Sequence, residues 1–207
     1  MSLGLRRAVV FGAPLLAYVA GMLHPDHVLD HGDPWRFLGV HLAWPLLACL
    51  LAWMIVLLVE GIDDVAATVA RILAVPFAVA YVLYTAYAGV AIGAFIWKGS
   101  ELPPAQQPAA AALIASVTHS SISSPIHWTA VALWFAAVLA VLVALRRTAP
   151  WPALALIAVG AFAFGYRHER PWGPGGMAAV LAGIVWLELR PARAPESRPG
   201  RALRLGR

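Results

Sequence analysis

The chain has 207 residues, 61% of them apolar and only 12% charged, with a formal net charge of +5. A soluble domain carries about twice that charged fraction, so an ordinary soluble enzyme or binding module is excluded. The positive balance comes from fourteen arginines against one lysine. They flank long apolar runs, which points to an anionic lipid surface as partner and not to nucleic acid.

Six apolar runs follow one another along the chain. The first, residues 8–23, is preceded by Arg6 and Arg7. It has the charged start and apolar core of a secretory signal, but no small-x-small site followed by a polar region, so a retained helix is expected. Residues 24–36 carry Pro25, Gly32 and Pro34 and read as a loop. The second run spans 37–59, and Glu60, Asp63, Asp64 and Arg71 mark a polar turn after it. The third, 72–97, is long enough to cross a bilayer with some tilt. A proline- and glutamine-rich loop follows at 98–108. Residues 109–117 are apolar but too short to span, which suits an interfacial or re-entrant helix.

The fourth run opens at Ser124-Pro125, a capping residue before a proline suited to a first helical turn, and stops at Arg146 and Arg147. Pro150 and Pro152 open the fifth, which reaches Tyr166. After a loop at 167–176 the sixth ends near Leu189. Residues 190–207 form a basic, proline-containing tail with little to bury, expected to be disordered and to meet anionic headgroups. The expected fold is therefore all-α: a bundle of six transmembrane helices over residues 1–189, followed by that tail.

Charge sets an orientation. Arg6, Arg7, Arg71, Arg146, Arg147 and the six arginines of the tail collect on one side, against Arg36, Lys98, Arg167 and Arg170 on the other. The positive-inside rule then places both termini in the cytoplasm of a bacterial inner membrane, and an even number of spans requires the termini to share a side. Trp35, Trp97, Trp128 and Trp172 fall near the outer boundary as an aromatic belt would. The lone Cys49 lies in an apolar run and can form no intramolecular disulfide. Gly89 and Gly93 allow close helix packing on the third run, where Tyr81, Tyr84 and Tyr87 recur at helical spacing as core or interhelical groups.

On this topology all seven histidines fall on the outer side: His24, His27, His31, His41, His119, His127 and His168. In HPDHVLDHGDPWRFLGVH (24–41), His24, His27 and His31 are three and four apart, the spacing of one helix face. Pro25 fits a first helical turn, and Gly32 and Pro34 would end it. Asp26 and Asp30 offer further oxygen ligands, and zinc, iron or copper would accept such a set. HVLDH lacks the glutamate that a zinc protease places beside its first histidine, so that activity is rejected. His41 lies just inside the second run and His127 in the first turn of the fourth. Ionisable groups inside a span are costly and mark functional sites, and the helix N-terminus keeps His127 neutral, as metal or haem ligation needs. Candidate metal ligands are therefore His24, His27, His31 and His127, with His41 and His127 as candidate cofactor or haem residues. His119 lies in a polar run where Ser120, Ser121, Ser123 and Ser124 can hydrogen-bond to it, and those serines read as a helix-entry cap. His168, between Arg167 and Glu169, reads as a solvated loop residue.

Three segments carry a resemblance: His24-Pro25, Tyr84–Gly93 (YTAYAGVAIG), and His168 followed by Pro171-Trp172-Gly173-Pro174. With them the chain resembles small six-pass integral membrane proteins of actinobacteria and related bacteria. That resemblance implies a fold and a membrane location and transfers no activity. Membrane hydrolases of the ceramidase and progestin-receptor type are not matched in helix count or in paired motifs. Cytochrome b-type bundles use pairs of histidines on facing helices; here only His41 and His127 sit suitably, so a haem across the bundle is conceivable but a second pair is missing. Three functions stay open: a non-enzymatic membrane protein binding a metal ion, haem or small ligand in an outer pocket lined by His41, His127 and the histidine loop; a metal-dependent enzyme acting on a lipid or quinone at the outer leaflet, with His24, His27, His31 and His127 as ligands and Asp26 or Asp30 as base; and a structural or accessory subunit with incidental histidines. The sequence names no protein partner.

Overall fold

The computed structural model describes residues 1–25, 33–118 and 123–189. Every regular element among them is helical: α1 (Leu3–Leu23), α2 (Pro34–Leu58), α3 (Val65–Tyr84), a π-helical segment (Thr85–Ala91), α4 (Ile92–Ser100), α5 (Gln107–Thr118), α6 (Ser123–Leu145), α7 (Trp151–Tyr166) and α8 (Trp172–Glu188). Four stretches are long and apolar enough to cross a membrane: Leu3–Leu23, Pro34–Leu58, Val65–Ser100 and Ser124–Leu145. α5 and α7 are shorter apolar helices. Residues 26–32, including His27 and His31, lie outside the described residues, as do His119 and the basic tail.

The helix starts follow from local chemistry. Ser2 accepts a hydrogen bond from the Leu5 amide at 3.3 Å, Asp33 from Trp35 at 3.0 Å and Asp64 from Ala67 at 2.7 Å. Each satisfies an amide that the helix itself cannot pair. Pro34 takes the first position of α2, where a missing amide hydrogen costs nothing. α6 begins at Ser123, so Pro125 falls in its first turn.

The helix contacts run in a closed ring: α1 packs on α2, α2 on α3, α3 on α6, α6 on α7, α7 on α8, and α8 back on α1. α5 leans on α4. The centre of the ring holds Trp44, Leu51, Ile55, Phe77, Trp134 and Met177, all fully buried. The outward faces are apolar as well: Leu46, Ile72, Leu139, Val159 and Phe162 are each more than 60% exposed. A helix that is apolar all round suits a hydrocarbon solvent. Gly160 and Gly176 bring the backbones of α7 and α8 together, since a Cβ on either would collide with main-chain atoms of the other helix.

The ring has two polar ends. At one, Arg6 is paired with Glu188 and with Glu60 (3.4 Å), and it donates to the Leu57 carbonyl at 3.3 Å. Arg71 donates to the carbonyls of Val59 (2.7 Å) and Ile62 (2.8 Å) beyond the end of α2. The other end is formed where α1 finishes, α2 and α6 begin, and α7 turns into α8, and it gathers the histidines.

Candidate metal centre

Three segments far apart in sequence each deliver one imidazole. His24 caps the end of α1, and its own amide donates back to Gly21 at 3.2 Å. His41 sits in the second turn of α2. His168 lies in the short connection between α7 and α8. One ring nitrogen from each lies within 4.8 Å of the others. His24 and His41 are buried, 3% and 6% exposed, and His168 is half-buried.

Glycines make room for this arrangement. A Cβ at Gly89, in the π-helical segment, would overlap the His41 ring. π-helical turns recur where a helix is locally distorted to serve a site, and this one sets its glycine against His41. A Cβ at Gly173, in the first turn of α8, would overlap the His168 backbone, and one at Gly21 would come within 3.2 Å of the His168 carbonyl. The connection carrying His168 is thus pressed between α1 and α8. Phe37, one turn before His41, holds its ring at a centroid distance of 4.1 Å.

The hydrogen bonds fix the tautomers. His41 Nδ1 lies 2.8 Å from the Phe37 carbonyl oxygen, and His24 Nδ1 lies 2.9 Å from that of Pro25. A carbonyl can only accept, so each Nδ1 carries the proton and donates it. In the neutral rings both Nε2 atoms then present lone pairs, and they face each other at 3.3 Å. Two acceptors that close repel unless a cation lies between them, either a proton or a metal ion. Zinc–nitrogen bonds of about 2.0–2.1 Å in a tetrahedron put ligand nitrogens about 3.3–3.4 Å apart, which matches this separation. Nδ1 donating to a backbone carbonyl is also the usual orienting contact of a metal-bound histidine. At His168, burial first, and then the neighbouring imidazoles of His24, His41 and His127, hold the pKa well below the ordinary 6.5. That ring is therefore neutral near pH 7 and free of a competing proton, as a ligand must be.

His127 does not belong to the converging three. It lies in the first turns of α6 with its ring against Tyr84 at 4.7 Å. Its Nδ1 is buried and without a hydrogen-bond partner, as are Tyr81 Oη and Trp44 Nε1. His127 and His168 line one cleft together with Tyr81, Trp134 and Phe164. Of the residues singled out in the sequence, the structure therefore joins His24 to His41 and leaves His127 outside the three, on a cleft shared with His168. His168 was read as a solvated loop residue and instead completes the set. The signal for it was present in the glycines and prolines that follow, which shape a tight connection, but nothing local aims that connection at His24. Comparison with protein families, curated proteins and solved structures returned no match.

Proposed function

We propose that this chain is a multi-pass protein of a bacterial cytoplasmic membrane that holds a divalent transition-metal ion through His24 Nε2, His41 Nε2 and a ring nitrogen of His168. The observation that carries the reading is the pair of Nε2 lone pairs set face to face at 3.3 Å by carbonyl-bound Nδ1 protons. Burying an imidazolium there would cost desolvation. A metal ion recovers that cost through coordination. Three imidazoles and no thiolate suit zinc or a neighbouring borderline ion, and three protein ligands leave a fourth position open. A bis-histidine haem fits less well. Its axial nitrogens lie on opposite sides of the iron, about two metal–nitrogen bonds apart, which is further than 3.3 Å.

Membrane placement is supported by the four long apolar helices and the apolar outward faces. In the six-span topology, with α7 and α8 also crossing, the arginine end faces the cytoplasm and the metal faces out. An outward site takes its ion from the periplasmic or external side.

Metal analysis of the untagged, full-length protein in detergent tests the reading, after growth with added zinc, iron and copper. One ion per chain is expected, and His41→Ala should remove it. A metal-free protein that also fails to bind zinc or cobalt(II) added at micromolar concentration would refute the proposal.

A further inference from the structure

Beside His168 lies a narrow cleft, partly open at its mouth. Its enclosed part has room for about one water-sized ligand. Its walls are mostly apolar, with Ala130, Val131, Trp134 and Phe164 among them. Its polar residues are His168, Tyr81 and His127. Tyr81 Oη and His127 Nδ1 are buried and have no hydrogen-bond partner. Tyr81 is only 6% exposed. Its ring is held between Trp44 (5.7 Å), Phe77 (5.8 Å) and Phe164 (6.3 Å), so the hydroxyl is aimed by packing. Buried polar atoms are almost always paired in folded proteins. Two unpaired ones in the same small cleft as a candidate metal ligand mark the place of a third party.

The chemistry of that party follows from what faces it. Tyr81 offers an O–H, and His127 Nδ1 can offer an N–H. No carboxylate lines the cleft among the described residues. Resting on the metal reading above, we infer that the cleft is the exogenous-ligand subsite of the metal centre. It takes a water-sized ligand, hydroxide or the coordinating end of a small anion that extends through the open mouth, bound to the ion and held by Tyr81 Oη and His127 Nδ1. A centre of this kind does more than store or brace. It would expose one coordination position to a mostly apolar, donor-lined cleft, the arrangement in which a metal activates a small oxygen ligand.

The test uses the full-length protein in detergent loaded with cobalt(II), whose visible absorption reports coordination, with azide as the probe anion. Azide should change the cobalt spectrum saturably. Tyr81→Phe and His127→Ala should each keep one cobalt per chain and weaken azide binding by about tenfold or more, the usual worth of a hydrogen bond to a charged group. Tyr81→Phe keeps the ring and its packing, so it reports on the hydroxyl even if His127→Ala relaxes α6. Azide affinity within twofold of wild type in both variants, or a bound cobalt that azide does not perturb, would overturn the subsite while leaving the metal centre standing. Failure to bind cobalt at all would remove the metal centre, and the subsite with it.

Discussion

The two ends of this helix ring are built on opposite principles. At the arginine end, charges are neutralised within the chain. Arg6 reaches Glu188, Glu60 and the Leu57 carbonyl, and Arg71 caps the carbonyls beyond α2. Arg7 Nε is the buried polar atom left unpaired there. At the histidine end, satisfaction is incomplete. Two imidazoles confront each other through acceptors, and Trp44 Nε1, Tyr81 Oη and His127 Nδ1 have no partner. A region that closes its own hydrogen bonds holds a fold together. A region that leaves them open in a buried place is arranged for something else to close them.

Substitutions should separate the two ends. The largest effect is expected from His24→Ala, His41→Ala or His168→Ala, each lowering metal affinity by roughly 100-fold or more. Losses of outer contacts alone typically cost 10–100-fold. Titration with a chromophoric chelator measures this, and retention of affinity in all three would erase the contrast. Gly89→Ala comes next. Its methyl would occupy the place of the His41 ring, so metal affinity should fall by about tenfold or more. Overpacking should cost about 1–3 kcal/mol of stability. An unchanged affinity would show that the ring can move without leaving the site.

Arg6→Ala should do the reverse. It strands Glu188, whose side chain is only 11% exposed, and should cost about 1–3 kcal/mol in detergent unfolding with metal content unchanged. Loss of metal in that variant would mean the two ends are coupled. Smallest of all should be Lys98→Ala. Its partner Glu101 lies 2.9 Å away, but both side chains are at least half exposed, so less than about 0.5 kcal/mol is expected. A larger change in unfolding would show that the α4–α5 corner is more tightly coupled to the ring than its exposure implies.

Much of the helical layout was legible along the chain. The expected short helix at 109–117 is α5, and the third apolar run is the long helical stretch Val65–Ser100. The Gly-x-x-x-Gly at Gly89 and Gly93 was readable as a close-packing site. Its neighbours on α2, His41 at Gly89 and Phe37 at Gly93, were not. The π-helical segment was not legible either, because a one-residue change of helical register leaves no mark in apolar periodicity. His24 and His41 stand out in the sequence as parts of one outer pocket with His127 and the histidine loop, but which of these rings converge is not legible there; His27 and His31 lie outside the described residues.

The sequence by itself determined the solvent this chain suits, the all-helical class and the polarity of its two ends. Those properties are sums over local windows of hydropathy and charge. The tertiary structure alone decided which histidines meet. His24, His41 and His168 are brought together by the closure of α8 onto α1 and by the clearances at Gly21, Gly89 and Gly173. A cluster whose members lie up to 144 positions apart in sequence is a property of packing, and packing is decided by side-chain shapes across helix interfaces that no local window contains.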